Sequence, residues 1–232
     1  EQFQQLISDG LAAFHRNDYK SARTRLLKAK SLKPGSREVS DALSQVDQAI
    51  RLSAIDKLRR AAQAAERSED WQKALKSYLA VLDIDKNLQF AVRGKERALE
   101  QIHINRRIHF FLAKPQVLES DSQLKNAVLL LVEAKEITPR GPLLMAGIKK
   151  LEQLVEVAQT PVKIAFESDN LTRVAVYKVG KLGRFSVHEL ELRPGTYTVV
   201  GTRDGYQDVR QKIVVKPGPQ SMRITIKCKV KV

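Results

Sequence analysis

The stretch LRPGTYTVVGTRDGYQDVRQKIVV, residues 192–215, decides how the chain is read. Its glycines at 195, 201 and 205 stand among basic residues, as they would in a loop that cradles phosphate. Such a glycine fingerprint needs a strand before it and a helix after it, and a P-loop also needs Gly-Lys-Ser/Thr. Here the glycines are followed by RDGYQDVRQKIVV, which alternates as a strand does, and no Gly-Lys-Ser/Thr occurs. Pro194-Gly195 is a turn dipeptide and Asp204-Gly205 a hairpin-turn signal. The glycines are read as turns of a small β-domain.

Outward from this stretch the period of two holds from Pro161 to the end. PVKIAFES, TRVAVYKVG, VHELELRPG, TYTVVGTRDGY, DVRQKIVVKPG and SMRITIKC give about six short strands, the spacing of an antiparallel sandwich. RITIKCKVKV alternates most cleanly: Ile224, Ile226, Cys228, Val230 and Val232 are expected to point one way and Lys227, Lys229 and Lys231 the other. Gly180-Lys181-Leu182-Gly183 fits the GXXG loop of KH domains, but that loop joins helices and both flanks here read as strand. A basic hairpin tip is expected instead.

Before Pro161 apolar residues recur every three or four positions: Phe3, Leu6, Ile7, Leu11 and Phe14, then Tyr19, Ala22, Leu26, Ala29 and Leu32. Proline disfavours helix in the residue before it, so the boundary falls at Thr160-Pro161, giving domains 1–160 and 161–232. The helical part repeats itself. NDYKSARTRLLKAKSLKPGS, EDWQKALKSYLAVLDIDKNL and DSQLKNAVLLLVEAKEITPRG align without gaps, with Tyr19, Trp71 and Leu124 equivalent, then Ala22, Ala74 and Ala127. Small residues where helices cross, with a large one a turn later, suit a tight helical hairpin.

This pattern resembles the second helix of a tetratricopeptide repeat, and Gly10 with Leu6, or Ala62 with Leu58, resembles its first helix. The units lie 52 and 53 residues apart, where that family's period is about 34, so roughly one extra helix per unit is expected, SREVSDALSQVDQAI among them. Pro115 takes the small-residue place of the third unit and is expected to break its first helix. The C-terminal part resembles the PEGA domain through VYKVGKLGRF, through LRPGTYTVV and its Pro-Gly-aromatic turn, and through the Gly-Tyr of RDGYQDVRQKIVVKPG. The tetrapeptide that names that family is absent. The expected fold is a multidomain α-then-β chain: tetratricopeptide-like α-helical hairpins, then a small antiparallel, PEGA-like β-sandwich. The resemblance implies a binding or scaffold protein of the bacterial cell envelope, extracytoplasmic, with membrane anchoring by a segment outside this chain.

No apolar run nears the eighteen or so residues of a membrane span. His15, His103, His109 and His188 form no metal-ligand spacing, Cys228 has no CxxC partner, and no nucleophile motif occurs. The sequence therefore points away from an enzyme, with catalytic residues, cofactors and metals none. Its strongest global feature is a net charge of +15. Residues 161–232 hold 14 Lys and Arg against 6 Asp and Glu, which makes that part the more charge-dense. Such charge favours anionic partners. Candidate electrostatic contacts are Lys178, Lys181 and Arg184 at one hairpin, Lys227, Lys229 and Lys231 on the last strand, and Arg59, Arg60, Arg106 and Arg107 on the helices. The helices are expected to bind a protein partner and the β-domain an anionic cell-wall polymer. A cytoplasmic nucleic-acid-binding protein and a regulatory subunit that positions an enzyme are the alternatives.

Overall fold

The computed structural model describes residues 1–218 and 222–232. By packing, the chain divides into two units, Glu1–Ile102 and His103–Val232, and each is described by itself. Helix gives way to strand at the expected place, within the second unit: α7 ends at Gln159 and β1 begins at Val162.

The first unit contains α1 (Gln2–His15), α2 (Tyr19–Leu32), α3 (Arg37–Arg67), α4 (Trp71–Ile84) and the start of α5 (Gln89–Ala113). The sequence repeat is a repeat of structure down to its turns. Asn17 and Glu69 both take positive φ, at 62° and 55°. Asp18 and Asp70 then cap the next helix, accepting from the backbone N–H of Ser21 and Lys73 at 3.1 and 3.2 Å. These bonds satisfy donors that a helix start leaves without partners. Each cap is followed by its aromatic residue, Tyr19 or Trp71.

The extra helix of the first repeat is fused to the first helix of the second, as α3. Val39, Ala42, Leu43 and Val46 of α3 pack with α1 and α2, whereas Ala62 and Ala65 of the same helix pack with Trp71, Ala74 and Tyr78. Residues 47–61 contain neither Gly nor Pro, so nothing in the sequence ends the helix between its two jobs. Leu52 lies between the two clusters and is exposed. Tyr78 is buried and its ring lies against Gly94, while Arg97 donates from Nε and Nη2 to one Glu66 oxygen at 3.1 and 2.7 Å. Burial, and after it the Glu66 carboxylate, push the Tyr78 phenol up. A Cβ on Gly94 would stand 2.3 to 2.6 Å from three atoms of that ring. Gly94→Ala is therefore expected to lower stability by about 1–3 kcal/mol, because overpacking outweighs alanine's better helix propensity. A urea melt of the variant checks this; a rise in midpoint would show the ring free to move aside.

In the second unit α5 ends at Ala113 before Pro115, as the sequence predicts, and a 3-10 helix, Pro115–Glu119, leads to α6 (Asp121–Glu136) and α7 (Pro142–Gln159). Ile104, Ile108 and Phe111 of α5 join Leu118, Leu130, Leu144 and Leu151 in one core.

Seven strands follow: β1 (Val162–Glu167), β2 (Arg173–Val176), β3 (Gly180–Gly183), β4 (Val187–Leu192), β5 (Gly195–Thr202), β6 (Val209–Val215) and β7 (Met222–Thr225). They form a three-stranded sheet, β4-β1-β7, and a four-stranded sheet, β3-β2-β5-β6. The sheets share a core in which Ile164, Phe166 and Ile224 of the first meet Val174, Val199 and Ile213 of the second. Helices followed by a small sandwich is the architecture expected, with four differences in detail. GXXG is itself strand β3 rather than a loop tip, and the β1–β7 pair is parallel, so the sandwich is not wholly antiparallel. Gly201 is not a turn: it lies within β5, where a Cβ would come 2.8 Å from Ile226 and 2.9 Å from Thr172.

The fourth difference concerns the last segment, of which Ser221 lies outside the described residues. The chain leaves β7 after Thr225 and crosses to the other sheet. Ile226 N–H donates to the Glu167 carbonyl at 2.9 Å, Cys228 N–H to Thr172 Oγ1 at 3.1 Å, and Val232 N–H to the Gly205 carbonyl at 3.1 Å. The inward alternation stops at Cys228, and Val230 and Val232 are exposed because the core ends there.

Asp169 fixes the loop beneath this crossing. Burial pulls its carboxyl up, but the backbone N–H groups of Thr172 and Leu171, at 2.8 and 3.0 Å, hold it below the usual 3.8. A depressed carboxylate stabilises the fold above its unfolded value, and that contribution disappears as pH falls through the folded one. Asp169→Asn is expected to melt lower than wild type by a constant margin above about pH 5, closing as the medium becomes more acid than the folded value. Melting curves across that range check it, and a margin independent of pH would contradict it.

Candidate functional site

The four-stranded sheet buries Val174, Val176, Val199 and Ile213 on its inner face, so the residues between them face outward. One outward row reads Lys181, Ala175, Val200, Arg210 across β3, β2, β5 and β6. In the next row Tyr177 N–H donates to the Thr198 carbonyl at 2.9 Å, and Thr198 stands opposite Lys212. Arg173 begins a third row opposite Thr202 and is paired with Asp204 at 2.6 Å. In the first row small residues thus occupy the central strands and long cations the edges, and the one central-strand cation, Arg173, is neutralised by Asp204.

The outer face of the three-stranded sheet differs. Lys163 stands opposite Glu191, Ala165 opposite both Glu189 and Arg223, and Glu167 pairs with Arg223 at 3.1 Å. Three carboxylates stand there against two cations. The two outer faces therefore differ: among the described residues Lys181, Arg210 and Lys212 have no carboxylate partner on the first, whereas the second carries no excess of positive charge.

Of the predicted hairpin cluster, Lys181 lies on the basic face, exposed Lys178 occupies the turn before β3 with φ of 68°, and Arg184 is exposed just past β3. Lys227, Lys229 and Lys231 do not line a strand face, since regular pairing ends at Thr225. They sit on the crossing segment, where Lys231 bridges to Tyr206. In the first unit Arg59 stacks over the Phe90 ring at 5.0 Å and Arg60 pairs with Asp56 at 2.6 Å. In the second, Arg106 is exposed while Arg107 pairs with Glu133 at 2.5 Å, so little of this helical charge is uncommitted.

Sequence reading missed Arg210 and Lys212. Their alternation with buried Ile213 and Val215 was legible in VRQKIVV, but only the strand order β3-β2-β5-β6 brings them opposite Lys181.

A second feature is a cleft of 1030 Å³ between the 3-10 helix, the start of α6 and the β4–β5 turn. Thr196 N–H donates to Glu119 at 3.2 Å and Arg193 pairs with Asp121 across it. Tyr197 donates to the Arg193 carbonyl at 2.9 Å, and burial pushes its phenol up. These contacts tie the sandwich to the helices of its own unit. Among the described residues no group of three His, Cys, Asp or Glu is placed to hold a metal, and no helix is long and apolar enough to cross a membrane. No protein-family model matches the sequence, and no curated protein matches it.

Proposed function

We propose that the protein is a non-enzymatic binding or scaffold protein of the bacterial cell envelope. Tetratricopeptide-like hairpins in it take a protein partner, and a PEGA-like sandwich docks on an anionic envelope component. The observation that carries this reading is the difference in charge between the two outer faces of the sandwich. Unpaired cations share one of them, while the other carries no excess of positive charge. Charge scattered only for solubility has no reason to divide in this way.

Two further features support the reading. The repeated turn, cap and aromatic residue, Asn17-Asp18-Tyr19 and Glu69-Asp70-Trp71, is the hairpin device that a helical-repeat scaffold uses. On α6, Leu129 and Val132, one turn apart, are exposed at 64% and 58%, an apolar spot on the outer side of the helix.

Sedimentation with purified cell walls tests the anionic partner. The protein is expected to sediment with intact walls at low ionic strength. It should be released as salt shortens the screening length from about 10 Å at 0.1 M towards 3 Å at 1 M. It should also fail to sediment with walls stripped of their anionic polymers. Equal binding to stripped walls would overturn the electrostatic reading.

A further inference from the structure

The basic face holds one cation that the fold has already positioned. Six arginines lie in residues 161–232. Four of them are committed: Arg173 to Asp204, Arg193 to Asp121, Arg203 to Asp169 and Arg223 to Glu167. Arg210 is not. Among the described residues no carboxylate pairs with Arg210, Lys181 or Lys212. Instead the guanidinium reaches inward from the edge strand β6 to Tyr177 at the end of β2, with Nη2 3.5 Å from the phenol oxygen and its carbon 5.8 Å from the ring centroid. Small side chains at Val200 and Thr198 let it lie across the sheet.

Beside Tyr177 is a depression of 430 Å³, lined by Ala175, Val200 and the hairpin from Tyr177 to Lys181. Tyr177, Lys178 and Lys181 thus border this depression, and Arg210 reaches the Tyr177 hydroxyl from the β6 side. Tyr177 accepts from Arg210, which leaves its hydroxyl proton to donate. An oxyanion with several acceptor oxygens satisfies this donor set better than a single carbonyl does.

We infer that Arg210, Tyr177, Lys181 and Lys212 form a binding site for the phosphate groups of a linear, base-free phosphodiester polymer lying across the four-stranded sheet. The inference rests on the function proposed above and assigns its anionic contact to particular side chains. Two observations select the occupant. Arg210 overhangs Tyr177, the one aromatic ring of this face, and so competes with the base stacking on which single-stranded nucleic acid binding depends. The centre of the face carries Ala175, Thr198 and Val200 and no large apolar wedge to enter a lipid surface. The edge strands β3 and β6 stand about 14 Å apart at three strand spacings, so several phosphates of one chain meet cations at once.

The test measures binding of the full chain to synthetic poly(glycerol phosphate) over a series of salt concentrations. Oligo(dT) and phosphatidylglycerol vesicles are the comparison ligands. The triple variant Lys181→Gln, Arg210→Gln, Lys212→Gln is expected to bind at least about tenfold more weakly. Its slope of log affinity against log salt should fall by about 2, at roughly 0.7 for each phosphate of a flexible single chain that is no longer neutralised. Arg210→Lys keeps the charge but loses the planar fork, and is expected to weaken binding several-fold by itself. Lys28→Gln, Lys30→Gln, Lys76→Gln removes the same charge from exposed helix positions in the first unit and is expected to change affinity by less than about threefold, the screened effect of net charge alone.

If wild type binds the polymer and both triple variants weaken by the same factor, the site is wrong while the anionic docking of the protein stands. If wild type binds none of the three ligands, the docking reading falls and the site with it. Tighter binding to oligo(dT) or to the vesicles would overturn the occupant.

Discussion

Trp71→Ala is expected to destabilise the first unit by about 3–5 kcal/mol and to lower its melting temperature by roughly 10 °C or more. Trp71 opens α4, is 5% exposed, and packs in the cluster that holds Ala62, Ala74, Tyr78 and Ala98 together. Truncation removes the largest side chain of that cluster. Five of the eight buried members of that cluster are alanines, which have no length to extend into the gap. A transfer loss and a cavity loss therefore add. The indole N–H has no hydrogen-bond partner among the described residues, so its removal costs no bond. Trp71→Phe, which keeps a ring and discards that N–H, is accordingly expected to recover most of the loss. Thermal melts followed by circular dichroism at the helix band check both variants. An alanine variant that melts with wild type would show the cluster to be dispensable.

Phe166→Ala carries the corresponding expectation for the sandwich. Phe166 is fully buried near the end of β1, the central strand of its sheet, opposite His188 of β4 and Ile224 of β7. It faces the Val174, Val199 and Ile213 side of the shared core. Removing the ring is expected to cost about 3–5 kcal/mol, because each sheet is stiffened by its own hydrogen-bond ladder and cannot bend inward to fill a void of that size. Loss of the β-type circular dichroism signal at lower temperature, or faster proteolysis in residues 161–232, would register the effect. Wild-type stability would mean that the sheets are free to slide together.

The parts of the fold legible in sequence were those written as local period and local punctuation. Tyr19, Ala22, Leu26 and Ala29 mark α2 without help from elsewhere, and the equivalent Trp71, Ala74, Tyr78 and Val81 mark α4, because each stripe repeats the helical turn. Pro115 and Pro161 end helices through their own ring geometry, which needs no tertiary context. The fusion of α3 across two hairpins was harder to foresee. Its evidence is the lack of any breaker in residues 47–61, and a missing signal is easily filled with an assumed loop.

What depends on which strand lies beside which was not legible. Gly201 reads as a turn glycine until Ile226 and Thr172 are seen to press on it from other parts of the sandwich. RITIKCKVKV reads as one strand, but only its first part is paired in a sheet. The rest crosses between sheets, a change of partner that leaves alternation in the sequence untouched. The basic face shows the same limit. Lys181 stands out in sequence because Lys178 and Arg184 are near it along the chain. Its partners on the sheet, Arg210 and Lys212, are some thirty residues away and become neighbours only through the order of four strands. Conversely, Arg60 and Arg107 look like free charge in sequence and are held by Asp56 and Glu133 in the fold.

The most direct test of an envelope scaffold is where these domains reside. A phosphatase that is active only outside the cytoplasm would be fused after Val232 of the complete native gene product. The account predicts an active fusion, with the sandwich presented to the anionic polymers of the envelope. A fusion present at full length but silent would place the domains in the cytoplasm and contradict it.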